Sequence, residues 1–320
     1  MIPMKPQIWI QVILVVIGVV FYSGRCSATS NTCLTDKAGR VISLARPYKR
    51  IISLYSAHTE NLFQLGADSQ IIGVSINDKY PPRVDEKNRF SYHDGLEKYL
   101  AAKPDLVLIR PMIDNGYPEF VRQLESYGIV VVSLQPATID EMYDYWLALG
   151  RLCGKTQAAS EMTLKFKGRV RTIAMATQAI TPKRRVYFEA IHKRMKTFTP
   201  NAMPLFALKI AGGLNVATDA RASRGTNVAN YSKEKILSKG HFIDVFIAQK
   251  GLMNPIRRAD ILNEPGFDTI KAIKNNQVLL VDEAIVSRPV PRLVQGILAI
   301  GNYLYPDIFN SLTNPTEESL

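Results

Sequence analysis

Short apolar runs alternate with amphipathic helical segments along most of this chain of 320 residues, and this alternation limits the fold more than any other feature. The runs have the length of buried strands, and they fall at residues 50–54, 71–74, 106–109, 129–134, 186–188, 245–248 and 278–281. Strands without a polar face belong to parallel sheets that helices cover on both sides. The sequence therefore predicts an α/β fold with mainly parallel central sheets.

Helical periodicity continues almost without interruption through residues 138–181. Thr138 and Glu141 form a capping box at the start, Pro182 ends the stretch, and a kink is expected at Gly154. A helix of this length spans roughly 60 Å, which is more than the width of one lobe. The predicted order is an N-terminal α/β lobe, a single long linking helix, a C-terminal α/β lobe and a tail, at residues 29–137, 138–181, 182–310 and 311–320.

The first 28 residues have the features of an export signal. Lys5 precedes an apolar stretch over 8–22, and small residues up to Ala28 suit cleavage by a signal peptidase. The apolar stretch is short for a membrane span, but an uncleaved anchor stays open, and so does lipidation of Cys26. We therefore expect an exported protein, located in the periplasm.

Charge and cysteine content limit the classes of partner and cofactor. The formal net charge is +12, but the basic residues are scattered along the chain, so a nucleic-acid partner is not expected. Cys33 and Cys153 remain after cleavage, and export permits a disulfide between them. The apolar neighbours of Cys153 favour a buried free thiol instead. Two cysteines so far apart form no metal-ligand pattern.

The sequence contains no set of residues that is spaced for catalysis. Residues 150–156 imitate a phosphate-binding loop, but only three residues separate the glycines and the segment interrupts a helix. Ser53 and Ser56 lack the Gly-x-Ser-x-Gly turn of a hydrolase nucleophile. The four histidines are too widely spaced to predict a metal site. We expect neither an enzyme nor a bound cofactor, while an exported α/β enzyme and an adhesion or scaffold protein remain the alternatives from other classes.

Two glutamates occupy matching positions in the two halves. Glu97 and Glu234 each stand near the start of a short amphipathic segment, and a buried strand-like run follows each segment. A carboxylate in the first turn of a helix is favoured by the helix dipole and stays in water. The pair is typical of a two-lobed protein that presents matched carboxylates to one partner, although each glutamate alone fits a solvated helix surface.

Several strings, in order, carry a resemblance to a known family, and they are Leu34-Thr35-Asp36 with Gly39-Arg40-Val41, Arg50-Ile51-Ile52-Ser53-Leu54 with Thr59-Glu60, Lys103-Pro104-Asp105-Leu106-Val107, Ala211-Gly212-Gly213-Leu214-Asn215, and Arg288-Pro289 with Pro291-Arg292. The chain resembles the periplasmic solute-binding proteins of ABC importers for vitamin B12, haem and ferric siderophores. The resemblance implies two lobes joined by one rigid helix. It also implies that Glu97 and Glu234 dock onto the permease dimer, which works with its ATPase, and that the protein acts as a monomer.

Candidate ligand-binding residues follow the carboxyl ends of the predicted strands, where open α/β sheets bind ligands. They are tyrosines and arginines, namely Tyr55, Tyr80, Tyr92, Arg110, Arg194, Arg224 and Arg288. Tyrosine offers a flat apolar face with a polar tip, and arginine offers a planar fork for anionic oxygens. The arginines favour a ferric siderophore or a related anionic iron complex, with cobalamin next and haem third. The iron or cobalt would belong to the cargo. Tyr80 and Arg288 fit structural roles in loops equally well.

Overall fold

The computed structural model describes residues 32–222 and 226–313. The predicted export signal with Cys26, the candidate Arg224 and the end of the predicted tail lie outside these ranges. Among the described residues, no helix combines the length and the apolar character that crossing a membrane requires.

A five-stranded sheet with parallel neighbours forms the first lobe. A hairpin of β1 (Cys33–Thr35) and β2 (Val41–Ser43) precedes it, and its strands are β3 (Ile51–Ser53), β4 (Ile71–Ser75), β5 (Asn88–Phe90), β6 (Leu106–Ile109) and β7 (Val130–Ser133), in the order β5-β4-β3-β6-β7. Its helices are α1 (Ser56–Gln64), α2 (Leu96–Ala102), α3 (Pro111–Gly116) and α4 (Pro118–Ser126). All residues of β3 and β6 are buried, as expected for strands covered on both faces.

The predicted linking helix over 138–181 is two helices, α5 (Ile139–Cys153) and α6 (Thr156–Gln178), so the prediction of one continuous helix is wrong. Gly154 adopts a left-handed conformation with φ of 70° and ends α5. The chain then turns back, since the rings of Trp146 and Phe166 lie 5.1 Å apart. Periodicity did not reveal the turn because each helix is amphipathic in its own right.

The second lobe contains a six-stranded, mainly parallel sheet in the described part of the chain. Its strands are β8 (Arg185–Ile191), β9 (Lys196–Phe198), β10 (Leu214–Asn215), β11 (Val228–Asn230), β12 (Val245–Lys250) and β13 (Val278–Asp282). β10, β8, β12 and β13 pair in parallel, and β9 runs antiparallel between β8 and β11. Its helices are α7 (Met203–Ile210), α8 (Lys233–Ser238), α9 (Arg258–Leu262), α10 (Lys271–Lys274), α11 (Glu283–Val286), α12 (Leu293–Leu304) and α13 (Pro306–Thr313).

The bridging role that was predicted for the whole segment belongs to α6. One side of α6 packs against α5, while α7, α12 and α13 of the second lobe pack against it as well. At 1.5 Å per residue its length is about 34 Å. α13 crosses the predicted boundary between lobe and tail at residue 310, because Phe309 is buried over Gly301 of α12. The predicted α/β architecture of two sheets flanked by helices is confirmed.

Cys153 is a free and buried thiol at the end of α5. The disulfide with Cys33 that export would permit is therefore not formed. The Sγ atom lies 3.7 Å from the carbonyl oxygen of Gly150, within the same helix. Burial raises the pKa of the Cys153 thiol to about 11, which makes the group unreactive at neutral pH.

We predict opposite effects for two glycine substitutions in this segment. Gly154→Ala should lower the free energy of unfolding by about 2 kcal/mol, because the left-handed conformation disfavours a Cβ. A Cβ there would also approach Pro47 Cγ to 2.6 Å. Gly168→Ala, in the middle of α6 with open space around it, should raise the free energy of unfolding by about 0.5–1 kcal/mol. Urea unfolding measures both, and a stabilising Gly154→Ala would contradict the assigned turn.

Candidate functional site

The predicted ligand residues of the first lobe lie at one edge of its sheet. Tyr55, Tyr80, Tyr92 and Arg110 follow the carboxyl ends of β3, β4, β5 and β6, and parallel strands end at the same edge. In the second lobe, Arg194 follows β8, and Arg288 follows β13 and α11.

Two of the predicted residues, Tyr55 and Arg110, are in contact, and the charge of a third, Arg288 of the second lobe, acts on Tyr55. The guanidinium carbon of Arg110 lies 5.1 Å from the centroid of the Tyr55 ring. Burial raises the pKa of the Tyr55 hydroxyl, the charges of Arg110 and Arg288 oppose this rise, and Glu283 adds to it. Because Glu283 and Arg288 follow β13, this group contains residues of both lobes. We call this region the lobe boundary.

A layer of buried polar side chains lies beneath Tyr55. The Tyr55 and His58 rings are 5.0 Å apart in an edge-on arrangement. His58 Nδ1 lies 2.7 Å from the hydroxyl oxygen of Tyr145, and Nε2 lies 2.9 Å from the carbonyl oxygen of Ile109. Burial lowers the pKa of His58 to about 4, so the ring is neutral at physiological pH. The layer thus supports the boundary without adding charge to it.

Asp78 is a buried carboxyl group at the carboxyl end of β4. Its Oδ2 atom lies 2.5 Å from the Thr59 hydroxyl and accepts a hydrogen bond from the Ser75 backbone N–H. Burial raises its pKa, and hydrogen bonds and the positive charge of Arg288 oppose that rise. No spacing rule pointed to Asp78, because its partner Thr59 belongs to α1 and lies 19 positions earlier in the chain.

Tyr80 and Tyr92 lie in different surroundings. The guanidinium carbon of Arg292 covers the Tyr80 ring at 3.7 Å from its centroid. Tyr92 stacks with Tyr117 and His93, with ring centroids 4.5 Å and 4.4 Å away. The contact of Arg292 was not predicted, although the residue stands in one of the strings that carry the family resemblance.

Arg194 lines a cavity of about 390 Å³ at the carboxyl edge of the second sheet. His192, Met253 and Asn254 also line it, and the Asn254 side chain accepts a hydrogen bond from the His192 backbone N–H. Burial acts to lower the pKa of His192, but the adjacent Glu189 carboxylate, with further negative charge nearby, raises it overall. The carboxylates around His192 therefore favour its protonated form.

Glu97 and Glu234 are exposed in the first turns of α2 and α8. Ser232 caps α8, and hydrogen bonding from its side chain lowers the pKa of Glu234. α2 follows the carboxyl end of β5, and α8 follows β11, which runs in the direction of β8. Both carboxylates therefore lie on the side of their lobes that carries the ligand candidates.

No group of three or more histidine, cysteine, aspartate or glutamate side chains in the described ranges could hold a metal ion. The site consists of aromatic faces, guanidinium groups and buried carboxyls, which suits reversible binding of an anionic or amphipathic molecule.

A family model described as periplasmic binding protein matches residues 51–285, a span that contains both sheets. The chain belongs to this family. It is 25% identical to an uncharacterized ABC transporter substrate-binding lipoprotein of Bacillus subtilis, over 86% of each chain. It is 24% identical to the vitamin B12-binding protein of Vibrio cholerae, over 82% of this chain and 91% of that protein. A possible iron-binding (periplasmic solute-binding) protein from Staphylococcus epidermidis has a similar structure, with a TM-score of 0.70 and 29% identity over 81% of this chain and 100% of that one.

We predict that buried His58 makes the protein less stable in acid. The unfolded state takes up a proton below about pH 6.5, whereas the folded state resists protonation down to about pH 4, so stability falls as pH drops through this window. Between pH 7.5 and pH 5 this residue should remove about 2 kcal/mol of unfolding free energy. His58→Gln should abolish that part of the pH dependence in urea unfolding.

The exposed His241 provides the matched control. His241→Gln should leave the acid sensitivity of the protein as it is in the wild type. An identical pH dependence in the wild type and His58→Gln would contradict the assignment.

Proposed function

We propose that this protein is the substrate-binding component of an ABC importer, and that it captures a ferric siderophore or related anionic iron complex between its two lobes. The observation that carries the proposal is the contact of Tyr55 with Arg110 at the lobe boundary, where the charge of Arg288 from the second lobe also acts on Tyr55. Guanidinium forks bind carboxylate or catecholate oxygens, and a tyrosine ring packs on an aromatic chelate. The net charge of +12 favours the approach of an anion.

Cobalamin is the second candidate cargo, because a vitamin B12-binding protein is among the relatives, and haem is the third. Cobalamin offers amides where a siderophore chelate offers anionic oxygens, so the arginines favour the chelate. Calorimetric titration with a ferric catecholate chelate, cyanocobalamin and haemin distinguishes the three. Failure of all three to bind would favour a scaffold role, and turnover of a bound molecule would favour an enzyme.

We predict that Arg288→Ala weakens binding of the ferric catecholate chelate at least tenfold. A hydrogen bond to a charged group contributes about 1.5–3 kcal/mol, and tenfold in affinity corresponds to about 1.4 kcal/mol. Arg110→Ala should have a similar effect. Arg122→Ala, which removes an exposed arginine of α4, is the control and should leave the affinity unchanged. Unchanged affinity in Arg288→Ala would contradict a role in cargo binding.

We propose that the protein delivers its cargo to the importer in the periplasm. There, Glu97 and Glu234 dock onto the permease dimer, which works with its ATPase. Two carboxylates on one body engage a two-fold partner only at the correct separation, so they supply orientation more than affinity. The protein acts as a monomer in this scheme and does not change its cargo covalently. The exposure of both glutamates in matching helix turns supports the proposal.

We predict that charge reversal at both positions, Glu97→Lys with Glu234→Lys, abolishes uptake of labelled cargo by cells and leaves its dissociation constant unchanged. Glu161→Lys, at an exposed position of α6, is the control and should support normal uptake. Normal uptake in the double variant would reject the docking role.

A further inference from the structure

Residues 287–292 of the second lobe, here called the interlobe loop, bond directly to the first lobe. The carbonyl oxygen of Pro289 accepts a hydrogen bond from Trp146 Nε1 at 2.9 Å and another from Asn61 Nδ2 at 3.0 Å. Both donors are fully buried, and they belong to α5 and α1. A buried carbonyl with two donors is a fixed point, because separating the groups would leave them unsatisfied.

The start of the interlobe loop is hydrogen-bonded to the second lobe, to which the loop belongs. The Ser287 hydroxyl donates to Gln249 Oε1 of β12 at 2.5 Å. The Val290 N–H donates to the carbonyl oxygen of Arg288 at 2.9 Å, which closes a tight turn. Arg288 therefore stands between one residue held by the second lobe and one residue held by the first.

An ion pair at the end of the interlobe loop forms a further connection between the lobes. Arg292 donates from Nε and Nη2 to the two carboxylate oxygens of Glu60, at 2.5 Å and 2.7 Å. Glu60 is 3% exposed, and the Arg292 side chain is 18% exposed. This two-point geometry fixes orientation as well as distance, and only an arginine supplies it.

Arg292 also contacts Tyr80, one of the predicted cargo-binding residues. Its guanidinium carbon lies 3.7 Å from the centroid of the Tyr80 ring, which stays 38% exposed. Arg292 thus covers one face of Tyr80 and leaves the remaining surface of the ring accessible.

We propose that Glu60 and Arg292 are positioning residues for the cargo. Their ion pair sets the separation of the lobes, holds the interlobe loop with Arg288 against the first lobe, and fixes the orientation of Tyr80. Neither residue needs to touch the cargo, since each acts through Arg288 and Tyr80. The inference rests on the proposed function where it concerns cargo, whereas the part that concerns lobe separation stands without it.

The test replaces the pair by apolar residues, Glu60→Leu with Arg292→Met, so that no buried charge is left without a partner. Spin labels at the exposed residues Asn88 on β5 and Lys274 on α10 report the distance between the lobes without cargo. Stopped-flow competition measures the release of a ferric catecholate chelate. We expect a broader distance distribution and at least tenfold faster release. Arg292→Lys keeps the charge but loses the fork, and it should give intermediate values.

The control removes an ion pair that lies within one lobe, Glu119→Leu with Arg122→Met on α4, where both side chains are exposed. It should leave the distance distribution unchanged and the release rate within twofold of the wild type. An unchanged distribution in the Glu60 and Arg292 variant overturns the proposal, and so does a broader distribution with an unchanged release rate. If the wild type does not bind the chelate, the proposed function fails for that cargo, and the distance distributions still decide whether the pair fixes the lobes.

Discussion

The carbonyl oxygen of Pro289 accepts hydrogen bonds from Asn61 and Trp146 and so joins a loop of the second lobe to two helices on the side of the first. Because the acceptor belongs to the backbone, the contact depends on the path of the interlobe loop and on no side chain of that loop. Arg288 precedes this fixed point by one residue and Arg292 follows it by three. The position of one cargo candidate thus depends on this buried contact, and the ion pair of Arg292 with Glu60 is a second connection between the lobes.

The polar side chains at the lobe boundary lie there because parallel strands end at the same edge of a sheet. Each sheet is built from buried strands, so polar side chains gather in the loops at the carboxyl edges. Tyr55 and Arg110 come from one such edge, and Arg288 comes from the other lobe. The neutral His58 beneath them adds no repulsion to the arginines, so an anion that enters meets positive charge above a buried histidine that carries none.

Much of the fold could be predicted from the sequence, because buried parallel strands appear as uninterrupted apolar runs. Open α/β sheets bind ligands beyond the carboxyl ends of their strands, and this rule alone placed Tyr55, Tyr80, Tyr92 and Arg110 at one edge of the first sheet. The turn at Gly154 was misjudged as a kink, since local periodicity does not show which way a chain continues after a glycine. The pair of Glu60 and Arg292 was missed because 232 positions separate its members, and only packing of the whole chain brings them together.

The proposed function requires that an anionic iron complex is captured between the lobes. A crystal structure of the protein with a bound ferric catecholate chelate tests it most directly, since anomalous scattering locates the iron without ambiguity. We expect one iron position at the lobe boundary, with chelate oxygens within hydrogen-bond distance of Arg110 and Arg288. An iron position away from that boundary, with both arginines free of the chelate, would contradict it.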